Sequence, residues 1–240
     1  MFGRKKFPTK NLGVALGPKA AIDWLFEQNE IGVILEDDIL PSLDFFLFAK
    51  EMLHMYYDNE NVMHINAMNF HLGKKVVKES YYFSCITSPW GWATWKRAWK
   101  KFDFKMLDFY ENIDFIDLPA YYKTELKHYK QILDNYKSET ELYAWDFQWL
   151  YCVAKFKGVS IVPSRNLALN TGFNSINATN TFTAPKWVKE IKIEELNIEK
   201  HPAVIKINKW ADEFSFSVIV DGYLPQKIEH RIKFYLNKII

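Results

Sequence analysis

The chain has 240 residues, 49% hydrophobic and 25% charged, a globular composition that excludes disorder and allows one large domain or two small ones. A net charge of +2 gives no case for nucleic acid, no apolar run approaches the roughly 18 residues of a membrane span, and the basic start MFGRKKFPTK lacks the apolar stretch of a signal peptide. Two cysteines, Cys85 and Cys152, make neither a disulfide framework nor a metal cluster and fit a reducing, cytoplasmic compartment.

In chain order, Gly17-Pro18 reads as the opening of a first helix, with Ala20, Ala21, Trp24 and Leu25 on one face. Val33–Leu35 follows as a short buried strand, expected in the interior of a sheet, and it ends in Glu36-Asp37-Asp38. Unpaired charges are too costly to bury, so the strand should deliver these acids to an open edge. Pro41-Ser42 restarts a helix with Ser42 as its cap and Asp44 in its first turn. Residues 62–70 and 81–86 read as a second and third strand, and the segment from Trp92 on as helical. Residues 103–143 should be helical in two or three pieces. Trp145-Asp146 starts a helix to about Phe156, which Gly158 caps before a strand at Val159–Val162. The Asn- and Thr-rich stretch 166–183 reads as a substrate-side loop. The alternation predicts an α/β protein with a mixed sheet flanked by helices.

Three constellations can carry chemistry. Carboxylates at a strand tip suit Mg²⁺ or Mn²⁺, which often bind through one or two carboxylates plus substrate phosphates; the bland alternative is a solvated turn. Trp92, Trp95 and Trp99 have helical spacing and read as core, while Trp90, beside Gly91, could stack on the apolar face of a sugar. Asp146 opens a helix, where the dipole alone favours an acid; near a hydrophobic wall it could also act as a general base. No histidine has metal-ligand spacing, and His64 reads as a satisfied core residue. There is no GxSxG motif and no phosphate loop.

Taken together and in order, these pieces resemble the GT-A nucleotide-sugar glycosyltransferases, especially those similar to N-acetylglucosaminyltransferase I and the related bacterial enzymes of surface-polysaccharide synthesis. The matching pieces are NLGVALGPKAAIDWLF at 11–26, GVILEDDILPS at 32–42, VMHINAMNF at 62–70, YYFSCITSPWGWATWKRAW at 81–99, AWDFQW at 144–149 and PSRNLALNTGF at 163–173.

The resemblance implies a GT-A-like catalytic domain over residues 1–185, with 186–240 as an extension packed on it. It implies Asp38 as the Mn²⁺ (or Mg²⁺) ligand that holds the donor diphosphate, with Glu36 and Asp37 also at the donor. Asp146 matches the catalytic base, and Trp90, Gly91 and Trp145 fall on the acceptor side. The implied partners are a nucleotide sugar, UDP-linked and by resemblance UDP-N-acetylglucosamine, and a glycan or glycolipid acceptor. Two departures stand out. GT-A domains begin with strands that bind base and ribose, so about two βα units are expected to be missing ahead of the NLG segment. The late loop shows Asn180 where bacterial relatives often carry a His.

A non-catalytic relative that binds a carbohydrate or a partner is the alternative. A metal-dependent phosphohydrolase is a third class, against which the lack of further His or Asp ligands argues. The basic amphipathic end RIKFYLNKII could meet an anionic membrane surface, or pack as an ordinary helix.

Overall fold

The computed structural model describes residues 9–137, 142, 144–173 and 184–223. Asn180 and the RIKFYLNKII segment lie outside them. The chain is a mixed α/β protein. Five strands, β1 (Ile31–Ile34), β3 (Val62–Asn66), β4 (Tyr81–Ser84), β5 (Trp92–Trp95) and β6 (Val159–Pro163), form one sheet in the order β1-β5-β3-β6-β4. Only β3 and β6 run parallel; the other neighbours are antiparallel. Two short strands, β2 (Ile39–Pro41) and β7 (Ala168–Asn170), pair separately beside it. Every residue of β3, β4, β5 and β6 is buried, as expected of strands covered on both faces.

Helix α2 (Leu43–Met55) shows the clearest link from pattern to packing. Ser42 Oγ accepts from the Phe45 N–H at 3.2 Å and caps it. Phe45, Phe48, Ala49, Met52 and Leu53 recur at the 3.6 period and are all buried in one core, into which Trp95 donates its Nε1–H to the Leu53 carbonyl at 2.9 Å. On the other side of the sheet, α1 (Gly13–Gln28) and α6 (Asp146–Lys155) enclose a second core with Trp92, Trp99, Trp145 and Trp149. The middle of the chain is helical in two main pieces after the short α3 (Lys96–Trp99): α4 (Phe109–Asn112) and α5 (Ala120–Asn135). Beyond residue 185, Trp187 and Ile191 enter the α2 core, Ile207 bridges Phe83, and α7 (Lys209–Tyr223) lies along β4.

Several expectations are corrected. Helix α1 opens at Gly13, where Asn11 Oδ1 accepts its N–H at 2.8 Å, so Pro18 lies inside the helix. Its buried residues are Ala15, Ile22 and Phe26, while Ala21 is exposed. Strand β1 starts two residues early and sits at the sheet's edge rather than inside it. Residues 92–95 are a strand, not a helix. Their side chains alternate, sending Ala93 and Trp95 into the α2 core and Trp92 into the opposite one. The 3.6-residue stripe that 92, 95 and 99 suggest therefore does not exist; pairing with β1 and β3 overrides it.

His64 is a fully buried core residue, as expected. It accepts from Trp149 Nε1 at 3.0 Å, lies 3.0 Å from Asn66 Oδ1 and stacks on Trp92 at 4.9 Å. Burial pushes its pKa down to about 3, against a weaker opposing effect of the Asn66 hydrogen bond. Between the unfolded value of 6.5 and about 3 the unfolded chain binds the extra proton, so this group's contribution to stability is present above 6.5 and is lost as pH falls. A His64→Gln variant, less stable at about pH 7.5, escapes that loss. The gap to wild type should narrow by about 2 kcal/mol near pH 5 in urea melts. A gap independent of pH would contradict a neutral buried imidazole.

Candidate functional site

The site is built where β1 ends. Glu36-Asp37-Asp38 form the turn from β1 into β2, closed by the Ile39 N–H donating to the Glu36 carbonyl at 3.2 Å. Beneath the turn runs Gly91, just before β5. Its φ of +79° suits glycine, and a Cβ there would press on Ala67, Ile39 and Leu35. Gly91 also accepts the Ala67 N–H at 2.9 Å. The side chains of Leu35 and Ile39, which flank the acid turn, thus pack close over Gly91 at the sheet's end.

Asp38 is gripped from the β7 side. Thr171 donates both its N–H, at 2.8 Å, and its Oγ1–H, at 2.9 Å, to the Asp38 carbonyl. Asn170 hydrogen-bonds the Asp38 carboxylate, while its Oδ1 accepts the Gly172 N–H at 2.8 Å in an Asx turn. Burial first, then the charge of Asp37, raises the Asp38 pKa; its own N–H and Asn170 oppose the rise. Oδ1 of Asp38 is buried and has no hydrogen-bond partner. A buried carboxylate oxygen left open is costly unless something else meets it.

Glu36 leans the other way. Its Oε1 accepts from Trp145 Nε1 at 3.1 Å. Burial pushes its carboxyl up to about 7; the Trp145 bond opposes this, and the charges of Asp146, Asp38 and Asp37 add to it. Asp37 itself is exposed. Asp146, the first residue of α6, is partly buried, and burial raises its pKa against the backbone N–H groups of Asp146 and Phe147. Asp146, Asp38 and Asp37 are all near enough to Glu36 for their charges to act on its carboxyl. Every charge acting on Glu36 is another carboxylate.

Trp90 is partly buried, with Phe70 at 6.2 Å, Phe173 at 5.4 Å and Trp187 at 5.8 Å around its ring. Gly91 and Trp145, the other two residues that the resemblance puts on the acceptor side, are both buried, Trp145 to 3% exposure. Gly91 supports the turn, and Trp145 stacks on Trp92 at 5.6 Å while binding Glu36.

Asn170, Thr171 and Gly172 were not anticipated as site residues. Their signal was an Asn two residues before a Gly, hidden in a long Asn- and Thr-rich stretch. A Cβ on Gly172 would overlap Asp38 Oδ2 and crowd its Cγ and Asn170. Gly172→Ala should therefore turn the Asp38 carboxylate aside. If the turn binds a nucleotide through a cation, as proposed below, the variant should lose at least tenfold in that affinity, ~1.4 kcal/mol by calorimetry, with little change in melting temperature. Unchanged affinity would show that this close approach is incidental.

Among the described residues, no group of three or more His, Cys, Asp or Glu side chains is arranged to hold a metal ion. The donor set fits a hard cation only in the sparse manner of Mg²⁺ or Mn²⁺. Asp38 would supply one carboxylate through its open Oδ1, and substrate phosphates and water the rest. No helix among the described residues is long and apolar enough to cross a membrane. No family model matches the chain, and no curated protein matches it.

Proposed function

We propose that this chain is a metal-dependent, inverting glycosyltransferase with a GT-A-like sheet. It moves a sugar from a nucleotide-diphosphate donor, UDP-linked and by resemblance UDP-N-acetylglucosamine, to a hydroxyl of a glycan or glycolipid acceptor, as in bacterial surface-polysaccharide synthesis. The observation that carries this reading is the buried, unpartnered Asp38 Oδ1 in a turn whose electrostatic neighbours are carboxylates. Such a site attracts a divalent cation and repels a bare diphosphate, so donor and cation should bind together. The ordered motifs of the sequence supply the reaction class.

In this reading Asp38 holds the cation, which when bound neutralises charge developing on the departing diphosphate. Asp37, exposed on the turn, is free to meet donor hydroxyls or metal-bound water. Asp146 accepts the proton of the acceptor hydroxyl as that oxygen bonds to the anomeric carbon and the carbon–phosphate-oxygen bond breaks. A carboxylate whose pKa burial has raised is a stronger base than an exposed one. One displacement inverts the anomeric centre, whereas two successive displacements through a covalent glycosyl-enzyme intermediate would retain it. Trp90, a partly buried ring, is the platform that this reading gives to an acceptor sugar. A cytoplasmic location with peripheral membrane contact belongs to the same proposal.

The test is product analysis with UDP-N-acetylglucosamine, Mn²⁺ and a panel of glycan acceptors. The expected result is UDP release that EDTA abolishes and a β-linked product from the α-linked donor by proton NMR. An α-linked product, or sugar release that ignores every acceptor, would overturn the reading.

A further inference from the structure

Helix α6 carries Asp146 on its first turn, yet its N-cap residue, Trp145, makes no side-chain capping bond to the helix. Trp145 instead spends its one polar atom on Glu36, 3.1 Å away on the acid turn. Its ring is clamped between Trp92, stacked at 5.6 Å, and Trp99, edge-on at 6.4 Å. The indole cannot swing without breaking that packing. Whatever fixes its Nε1 therefore fixes the backbone immediately before Asp146. On the other side, Glu36 is two residues from Asp38 within the turn whose flanking side chains pack over Gly91 and which Thr171 ties down.

We infer that Glu36 is a positioning residue. Through Trp145 it sets the distance between the β1–β2 turn and the start of α6, and so between Asp38 and Asp146. This departs from the donor contact that the resemblance assigns to Glu36. The acceptor oxygen facing Trp145 is committed inside the protein, and the bond joins two elements far apart in sequence that carry the two halves of the site. The inference rests on the proposed base role of Asp146 for its catalytic consequence, but not for the bond itself.

Three variants separate the possibilities. Glu36→Gln keeps an oxygen that can accept from the indole. Glu36→Ala removes it, and Trp145→Phe removes the donor while keeping an aromatic ring. Hydrogen exchange of the α6 first turn, read by mass spectrometry, needs no activity. It should quicken in Glu36→Ala and in Trp145→Phe and stay near wild type in Glu36→Gln. Unchanged exchange in both disruptive variants overturns the inference, whatever the enzyme does.

In turnover assays, Glu36→Ala and Trp145→Phe should each lower kcat by roughly 10- to 100-fold, the scale of a small misplacement of a reacting group. The donor KM should hold, and the double variant should be no worse than either single one, since both break one contact. A raised donor KM with unchanged kcat in Glu36→Ala would instead make Glu36 a donor contact and overturn the inference. If the wild type neither binds UDP nor turns over the donor, the functional reading fails, and the exchange experiment alone decides the role of Glu36.

Discussion

Asp38→Asn is expected to abolish metal-dependent turnover of the nucleotide sugar while leaving the fold intact. The substitution is nearly isosteric, so the grip of Thr171 on the backbone carbonyl survives. What disappears is the charge behind the open Oδ1, the one described oxygen on this turn that is buried and unpartnered. Donor affinity in Mn²⁺ should fall at least about 100-fold, ~2.7 kcal/mol, because the cation would then be held by phosphates and water alone. The stability change should have the opposite sign. Burial and the neighbouring Asp37 both disfavour the ionised carboxylate, so removing its charge relieves repulsion. A melting temperature at or above wild type, together with lost donor turnover, is the expected pattern of a residue kept for function at some cost in stability. A variant that loses both fold and activity would point to a structural role instead.

Asp146→Asn should do something different. Transfer should fall by roughly 10²- to 10⁴-fold, the usual range for a lost general base, while UDP and Mn²⁺ bind as in wild type. Asparagine can still accept the backbone N–H groups of Asp146 and Phe147 that face the native carboxylate, so α6 should start in the same place. Steady-state kinetics check this as a fall in kcat at near-constant donor KM. A transfer rate close to wild type would remove Asp146 from the chemistry.

Much of the arrangement was legible in the chain because single side chains announce it. Apolar residues that break into Glu36-Asp37-Asp38 predict an acidic turn at a strand end, and the turn is there. Ser42 with Phe45, Phe48, Ala49, Met52 and Leu53 predicts a capped helix and its buried face. What escaped was set by partners far away in sequence. Trp92, Trp95 and Trp99 fit a helical period and a strand followed by a turn almost equally well. Pairing of Ala93 with both Val33 and Ile65 decides for the strand. The edge position of β1 is a property of the sheet, invisible in its own residues. Gly172 matters because Asp38, more than a hundred residues earlier in the sequence, lies against it. Trp145, which the resemblance puts on the acceptor side, donates its Nε1–H to Glu36, a bond between residues more than a hundred positions apart that no local spacing announces.

The central claim is a divided site, with Asp38 on the leaving diphosphate and Asp146 on the attacking hydroxyl. Its most direct test is calorimetric titration of UDP, in Mn²⁺ and again in EDTA, into the wild type, Asp38→Asn and Asp146→Asn proteins. The account predicts micromolar binding by wild type and Asp146→Asn that EDTA removes, and none by Asp38→Asn. Equal binding by all three proteins, or none by a folded wild type, would contradict it.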